Sequence, residues 1–196
     1  MFRRCASITA IIGTLLAYGE QASAEVTGAV EVLDGDTVEM LGQTIRLYGI
    51  DALEANQMCL SASGRPWPCG QEATASLRSF VGGSPLRCEP IANFGGTIQA
   101  ACTLSGRDVG AWMVANGWAF ADRSVSGDYL AQEAQAESMG AGVWDSTYVM
   151  PWEYRAGKRL EMPEFDQSKP VEENSERQNT PLPSATPSYG PLNAGP

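Results

Sequence analysis

The stretch "VLDGDTVEMLGQTIRLYGIDALE", residues 32–54, determines the fold that the sequence predicts. The turn signal "DGDT" separates two runs in which apolar and polar residues alternate, as they do in a β-hairpin. A second tight turn, predicted at Gly42-Gln43, leads into the apolar run "TIRLYGI" at residues 44–50. With the residues just ahead of it, the stretch therefore predicts a three-stranded meander.

One arginine and two carboxylates surround the end of the third predicted strand. Arg46 begins the segment "RLYGIDALE", and Asp51 and Glu54 follow the apolar residues directly. Such a set can form a functional site, but taken alone the pattern favours an ordinary ion pair at a strand end. Asp34 and Asp36 of "DGDT", taken alone, are likewise typical turn residues.

Beyond residue 54 the sequence predicts a polar loop, three helices and one more hairpin. The segment "QEATASLRSFV", residues 71–81, has apolar residues at helical spacing and ends at two glycines. A hairpin with its turn at residues 94–96 follows, and two short helices are predicted within residues 107–117 and 128–144. This order predicts an α+β fold, a five-stranded OB-fold β-barrel with three α-helices.

The two ends of the 196-residue chain differ in composition from its centre. A positively charged start, an apolar run and the motif "ASA" at 22–24 predict a signal peptide over residues 1–24. The protein is therefore expected to be secreted or periplasmic, with no membrane span after cleavage. Residues 161–196 are rich in Pro, Ser, Asn, Glu and Gln and predict a disordered tail. One folded domain is expected over residues 25–160.

Four cysteines remain after removal of the predicted signal peptide, which contains Cys5. An even number in a secreted domain predicts two disulfides, for which three connectivities exist. Cys88 and Cys102 are equidistant from the centre of the predicted hairpin turn, so folding the hairpin brings them together. Cys59 and Cys69 share the loop before the first helix. We therefore predict the pairs Cys59–Cys69 and Cys88–Cys102. A zinc site built from all four is disfavoured, because the spacing contains no C-x₂-C pair.

The charged and titratable residues restrict the chemistry. The chain contains no histidine, which excludes His-based catalytic triads and most zinc sites. Residues 25–160 carry 16 acidic and nine basic side chains, a net charge of −7. A domain of that charge does not generally attract a polyanion. Any chemistry on nucleic acid would depend on a local site and on a cation.

An ordered series of segments resembles the staphylococcal-nuclease, or thermonuclease, family. The segments are "VLDGDTVEM", "TIRLYGIDALE", "CGQEATASLRSFV", "GRDVGAWMVANGWAF", "YLAQEAQAESMGAGVW" and "PWEYR". They span residues 26–155 and imply the same OB-fold barrel. The resemblance also implies the activity of an endonuclease, a hydrolase that cleaves phosphodiester bonds in DNA and RNA with calcium as cofactor.

The resemblance assigns roles to five residues near the predicted meander. Asp36, Asp51 and the main-chain carbonyl of Ala52 match the family's calcium ligands, and calcium prefers such hard oxygen donors. Arg46 matches a catalytic arginine, which can donate two parallel hydrogen bonds to a phosphate. Glu54 matches the catalytic carboxylate, which beside a metal can orient or deprotonate water.

One expected residue is missing from the matching pattern. The family's second catalytic arginine corresponds to Gly96, or to Thr97 if a residue is inserted, and no basic residue lies between Arg87 and Arg107. Losing a guanidinium that faces the transition state is expected to lower the rate by roughly 10²–10⁵-fold. Arg123 is a candidate for partial compensation, although an ordinary surface arginine is the better interpretation.

Two functions therefore stay open. One is a secreted nuclease with weak, calcium-dependent activity, acting as a monomer on nucleic acid or a nucleotide. The other is a catalytically impaired barrel that binds a nucleotide, an oligosaccharide or a protein. Some secreted relatives in the resembling family are associated with exopolysaccharide production, which supports the second function.

Overall fold

The computed structural model describes residues 25–163. The predicted signal peptide and the predicted tail beyond residue 163 lie outside the described residues. The strands are β1 (Val26–Gly28), β2 (Val30–Val32), β3 (Thr37–Met40), β4 (Gln43–Leu47), β5 (Ile50–Ala52), β6 (Cys59–Ser61), β7 (Pro66–Trp67), β8 (Leu86–Phe94), β9 (Thr97–Leu104), β10 (Arg107–Asp108), β11 (Ala119–Ala121) and β12 (Ser146–Thr147). The helices are α1 (Cys69–Val81), α2 (Val109–Ala115), α3 (Leu130–Met139) and α4 (Pro151–Arg155), with a 3₁₀ turn at Gly142–Asp145.

The largest sheet curls into a nearly closed barrel. Its strands follow the order β1-β8-β9-β4-β3-β2, with β10 paired to β9. Only Ala29 separates β1 from β2, so one stretch of chain pairs with β8 at one end and with β3 at the other. This α+β barrel agrees with the predicted fold class. The predicted counts of five strands and three helices differ from those of residues 25–163, which contain further short strands and a fourth helix.

The predicted meander is present, with one turn displaced by a residue. Strand β3 ends at Met40 and β4 begins at Gln43 opposite it, so the turn consists of Leu41 and Gly42 rather than Gly42 and Gln43. Both turn residues have positive φ, 52° and 74°, as a type I′ hairpin turn requires. Gly42 adopts this conformation readily, whereas leucine rarely does. The side chain of Leu41 is exposed.

The larger core cluster fills the space between the barrel and its helices. The strand residues Val38 and Leu86 are fully buried there, and α1 and α2 contribute Leu77 and Met113 to the same cluster. Burying each such side chain stabilises the fold by roughly 1.5–3 kcal/mol. Within residues 25–163, no helix has the length and apolar character needed to cross a bilayer.

Both predicted disulfides are formed. Cys88 and Cys102 lie directly opposite each other in the β8–β9 hairpin, with Cα atoms 4.1 Å apart. Cys59 of β6 is bonded to Cys69, the first residue of α1, with Cα atoms 5.7 Å apart. Closing a loop of this size contributes on the order of 3 kcal/mol.

The segment predicted as a polar loop after residue 54 contains its own structure. Strand β6 pairs with β7 and β12 in a small separate sheet. The adjacent disulfide packs in a second core cluster with Leu53, Phe120 and Val143. This cluster fixes the chain directly after β5 at Leu53, one residue before the predicted site residue Glu54.

Candidate active site

Three consecutive strands bring the predicted site residues together. Asp36 lies in the turn before β3, Arg46 lies in β4, and Asp51 is the central residue of β5. Antiparallel pairing puts Thr37 opposite Arg46, so the neighbouring Asp36 carboxylate comes next to the guanidinium. The meander therefore determines the position of the site.

The Arg46 guanidinium bridges the two aspartates. Its Nη2 donates to Oδ2 of Asp36 at 3.1 Å and to Oδ1 of Asp51 at 2.8 Å. Both aspartate side chains are almost completely buried, whereas the arginine side chain is 34% exposed. Burial works to lower the pKa of Arg46, but the two aspartates outweigh burial and leave the pKa raised. The guanidinium therefore stays charged.

Asp36 is held by three donors. The hydroxyl of Thr37 donates to Oδ1 at 2.8 Å, and the backbone N–H of Ala52 donates to Oδ2 at 3.1 Å, the same oxygen that accepts from Arg46. Burial nevertheless raises the pKa of Asp36 to about 7, with a further increase from the charge of Asp34. Near neutral pH this carboxyl is therefore partly protonated.

A second arginine completes the arrangement. Arg155, the last residue of α4, donates from Nη1 and Nη2 to the two oxygens of Asp51 at 2.8 and 2.6 Å. Its Nη1 also donates to Oε1 of Glu54 at 2.7 Å. These hydrogen bonds, first of all those with Asp51, raise the pKa of Arg155. Asp36, Arg46, Asp51, Glu54 and Arg155 together form what is called the ionic cluster below.

The site therefore contains a second guanidinium, from a residue to which the sequence resemblance assigned no role. The predicted position of a second arginine, at Gly96 or Thr97, lies at the tip of the β8–β9 hairpin and carries none. The second guanidinium comes from the far end of the domain instead. Pro151 at the first turn of α4 is a sequence signal for this helix. No sequence pattern indicates that Arg155 reaches back to Glu54.

The Glu54 loop is held from two sides. Buried Gln57 accepts from the Glu54 N–H at 3.3 Å and donates to the carbonyl of Val149 at 2.6 Å, just before α4. On the other side, a Cβ added at Gly70 would lie 1.7 Å from the Glu54 carbonyl oxygen. Only glycine permits α1 to approach the loop this closely. Glu54 is therefore held by α1 on one side and, through Gln57, by the chain just before α4, the helix that carries Arg155.

Comparison with known proteins gives one informative relative. The chain is 34% identical over 143 residues to the succinoglycan biosynthesis protein ExoI of Rhizobium meliloti (strain 1021). The matched region covers 70% of this chain and 75% of that protein. The chain belongs to the ExoI family. The scan against family models finds no match. The name ExoI refers to the biosynthesis of succinoglycan and describes no nuclease.

A cleft opens beside the ionic cluster of this ExoI-family protein. It has a volume of about 360 Å³, and Asp51 and Arg155 form part of its wall. Asp122, Arg123 and Trp152 line the rest of the wall together with two small residues. The Arg123 guanidinium forms an ion pair with buried Glu133, so Arg123 lines the cleft without bonding to the ionic cluster.

The predicted calcium ligands suit a cation in type and direction. Oδ2 of Asp36 and Oδ1 of Asp51 both point at one atom, Nη2 of Arg46, so a positive group already lies where the two oxygens converge. Within residues 25–163, no three His, Cys, Asp or Glu side chains are grouped so that they could hold a metal ion. In this ExoI-family site, calcium would therefore need Arg46 to shift and further oxygens from the backbone, water or a ligand.

Proposed function

We propose that the protein hydrolyses phosphodiester bonds at the ionic cluster. Arg46 and Arg155 bind the phosphate and Glu54 acts on the attacking water. Asp36 and Asp51 would hold a calcium ion once Arg46 shifts, together with oxygens from the backbone, water or the substrate. The observation that supports this proposal is the convergence of both arginines on Asp51, with Glu54 bonded to Arg155 at 2.7 Å. Arg155 supplies the second guanidinium, and hydrolysis of a phosphodiester depends on such positive groups around the developing charge.

The two arginines are suited to an incoming phosphate by exposure and charge. Their side chains are 34% and 40% exposed, whereas the Asp51 side chain between them is 4% exposed. A phosphate oxygen can therefore approach the exposed parts of both guanidinium groups, that of Arg155 from the cleft, while the Asp51 carboxylate stays buried. Each guanidinium retains N–H groups for the phosphate, because a guanidinium has five donors.

Glu54 is the group placed to act on water. Its side chain is 30% exposed, so water can reach the carboxylate while its backbone is held by Gln57. The water oxygen forms the new bond to phosphorus, its proton goes to Glu54, and the bond from phosphorus to the leaving oxygen breaks. Arg46 and Arg155 stabilise the charge that develops on the phosphate oxygens.

The charge of the ionic cluster supports the need for a cation. Three carboxylates face two guanidinium groups, so the cluster carries −1 when Asp36 is ionised and no net charge when it is protonated. In neither state does the cluster attract an anionic phosphodiester. Calcium, held by Asp36 and Asp51, would supply positive charge to a phosphate oxygen. A nucleic acid is then a weak, cation-dependent substrate, because the whole domain is acidic.

We place this activity in exopolysaccharide production outside the cytoplasm. The relative ExoI, named for succinoglycan biosynthesis, supports the first part. Two disulfides, which persist in oxidising compartments, support the second.

A cleavage assay tests the proposal. The mature protein is incubated with bis(p-nitrophenyl) phosphate, DNA and RNA, with calcium or with a chelator. Hydrolysis is expected only with calcium, and Glu54→Gln should lower it at least about 10²-fold. Glu39→Gln, an exposed change on β3, is the matched control. Hydrolysis that is unaffected by Glu54→Gln would contradict the proposal.

The second candidate is a binding module without turnover. This candidate is favoured by the pairing of Asp51, because both of its oxygens already accept hydrogen bonds from arginine. Such an ion network can stabilise the fold without a substrate. In that case, calorimetry should detect binding of phosphate compounds without cleavage, and Glu54→Gln should leave their affinity unchanged.

A further inference from the structure

The cleft beside the ionic cluster has an aromatic floor. Trp152, the second residue of α4, lines the cleft and is 43% exposed. Its ring packs edge-on against buried Phe120, with centroids 6.3 Å apart and an interplanar angle of 78°. Because this contact supports the ring, the exposed part of the indole offers a fixed surface to a flat or cyclic ligand.

The charged residues of the cleft balance each other. Arg123 and Arg155 line it together with Asp51 and Asp122, so its wall carries no net charge. A channel for single-stranded nucleic acid is typically a positively charged groove that follows the backbone. This cleft is neutral and lies in an acidic domain, so it suits a ligand that is largely uncharged and carries one anionic group.

Polar groups on the rim are suited to hydroxyl groups. Oδ1 of Asp122 accepts from the backbone N–H and the hydroxyl of Ser124, at 3.0 and 2.6 Å. The Asp122 N–H donates to the carbonyl of Gly49 at 2.9 Å, which fixes the loop. Within residues 25–163, Oδ2 of Asp122 makes no hydrogen bond and is left as an acceptor for a ligand hydroxyl.

We infer that the cleft binds the sugar ring of a phosphorylated saccharide. The apolar face of the ring packs on Trp152, its hydroxyl groups bond to Asp122 and Ser124, and its phosphate reaches Arg155 at the edge of the ionic cluster. The volume of about 360 Å³ is at the small end of ligand pockets, which suits one or two sugar units. The inference rests on the proposed function for the phosphate end alone.

Calorimetry with the mature protein tests the inference. The probes are glucose 1-phosphate, glucose, inorganic phosphate and a thymidine dinucleotide. Glucose 1-phosphate should bind at least about fivefold more tightly than inorganic phosphate, the lower end of what stacking on an aromatic ring contributes. Trp152→Ala should remove this advantage, whereas Trp152→Phe, which retains an aromatic ring beside Phe120, should retain most of it and leave the affinity for inorganic phosphate unchanged.

Further variants keep the test decisive if Trp152→Ala does not fold. Asp122→Asn should weaken binding of glucose 1-phosphate and leave inorganic phosphate unchanged. Arg155→Gln should weaken both ligands. Trp112→Ala changes a partly buried tryptophan that stacks on Phe80 outside the residues lining the cleft, and should change neither affinity.

Three results would overturn the inference. The first is equal or weaker binding of glucose 1-phosphate compared with inorganic phosphate. The second is an advantage of glucose 1-phosphate that persists in both Trp152→Ala and Asp122→Asn. The third is a dinucleotide that outcompetes glucose 1-phosphate and loses its advantage in Trp152→Ala, since the cleft would then hold a nucleobase. The proposed hydrolysis fails separately, if glucose 1-phosphate binds as expected but calcium supports no cleavage of bis(p-nitrophenyl) phosphate.

Discussion

At the scale of the residue, Asp51 is the centre of the site. It is 3% exposed, and a buried carboxylate is costly unless it is paired and hydrogen-bonded. Arg46 and Arg155 together satisfy both of its oxygens. The sequence segment "RLYGIDALE" predicts the first of these partners, because β4, which carries Arg46, is followed directly in the chain by β5, which carries Asp51. It does not predict Arg155, 104 residues from Asp51, because that contact depends on how the last helix packs.

A pH-dependent stability is expected from Asp36, whose pKa burial raises to about 7 from 3.8. The folded state then keeps a proton that the unfolded state has already released. The associated stabilisation is complete below about pH 4 and is lost as the pH rises to about 7. With calcium chelated, the unfolding free energy should fall by about 1.4 kcal/mol per pH unit within that window.

Urea denaturation between pH 4 and pH 8 measures this slope. Asp36→Asn should remove it, whereas the exposed control Glu39→Gln should preserve it. Parallel pH profiles for the wild-type protein and Asp36→Asn would show that the Asp36 proton is not coupled to folding.

At the scale of the element, local patterns predict the long strands and α1 but not the short pieces that finish the site. The meander follows from alternation and turn residues, and "QEATASLRSFV" predicts all but the first two residues of α1. Helix α4 has five residues, fewer than an isolated helix needs for stability. Tertiary contacts must hold it, among them Trp152 against Phe120 and Arg155 against Asp51.

Gly70 is expected to be the most sensitive glycine near the site. In Gly70→Ala the new Cβ would lie 1.7 Å from the Glu54 carbonyl oxygen, so α1 and the Glu54 loop must separate. Overpacking of this kind costs about 1–3 kcal/mol or more, and hydrolysis should fall because Glu54 moves.

Thermal unfolding measures the loss of stability, and the cleavage assay measures the loss of hydrolysis. The control is Gly127→Ala, where the new Cβ would make only an ordinary contact with Leu130 at 3.5 Å. If Gly70→Ala behaves like this control, α1 does not position Glu54.

At the scale of the whole molecule, an acidic domain carries a site in which two guanidinium groups are paired with three carboxylates. The sequence predicts the α+β barrel from the order of its elements and the two disulfides from cysteine positions. The cleft was not predictable, because its wall combines Asp51 of β5, the chain following β11 and the last helix. These segments meet only in the folded molecule.

The affinity for nucleic acid and its salt dependence should therefore not change with the length of the strand. Two exposed guanidinium groups can replace at most about two counterions, so log K should fall with log salt with a slope of about −2 or less steep. Calorimetry or anisotropy with oligonucleotides of 2, 8 and 20 residues at several salt concentrations measures this slope. A slope that steepens with length would reveal a basic surface that follows the strand.

The central claim is that Arg155 supplies the second guanidinium of a phosphodiester-cleaving site. Steady-state hydrolysis of bis(p-nitrophenyl) phosphate in calcium, compared between the wild-type protein, Arg155→Gln and Arg87→Gln, tests it most directly. Arg87 is an exposed arginine paired with Glu25 on the barrel, and its substitution controls for the loss of one positive charge. Turnover should fall at least about 10²-fold in Arg155→Gln and stay unchanged in Arg87→Gln. Equal turnover in the two variants would contradict the claim.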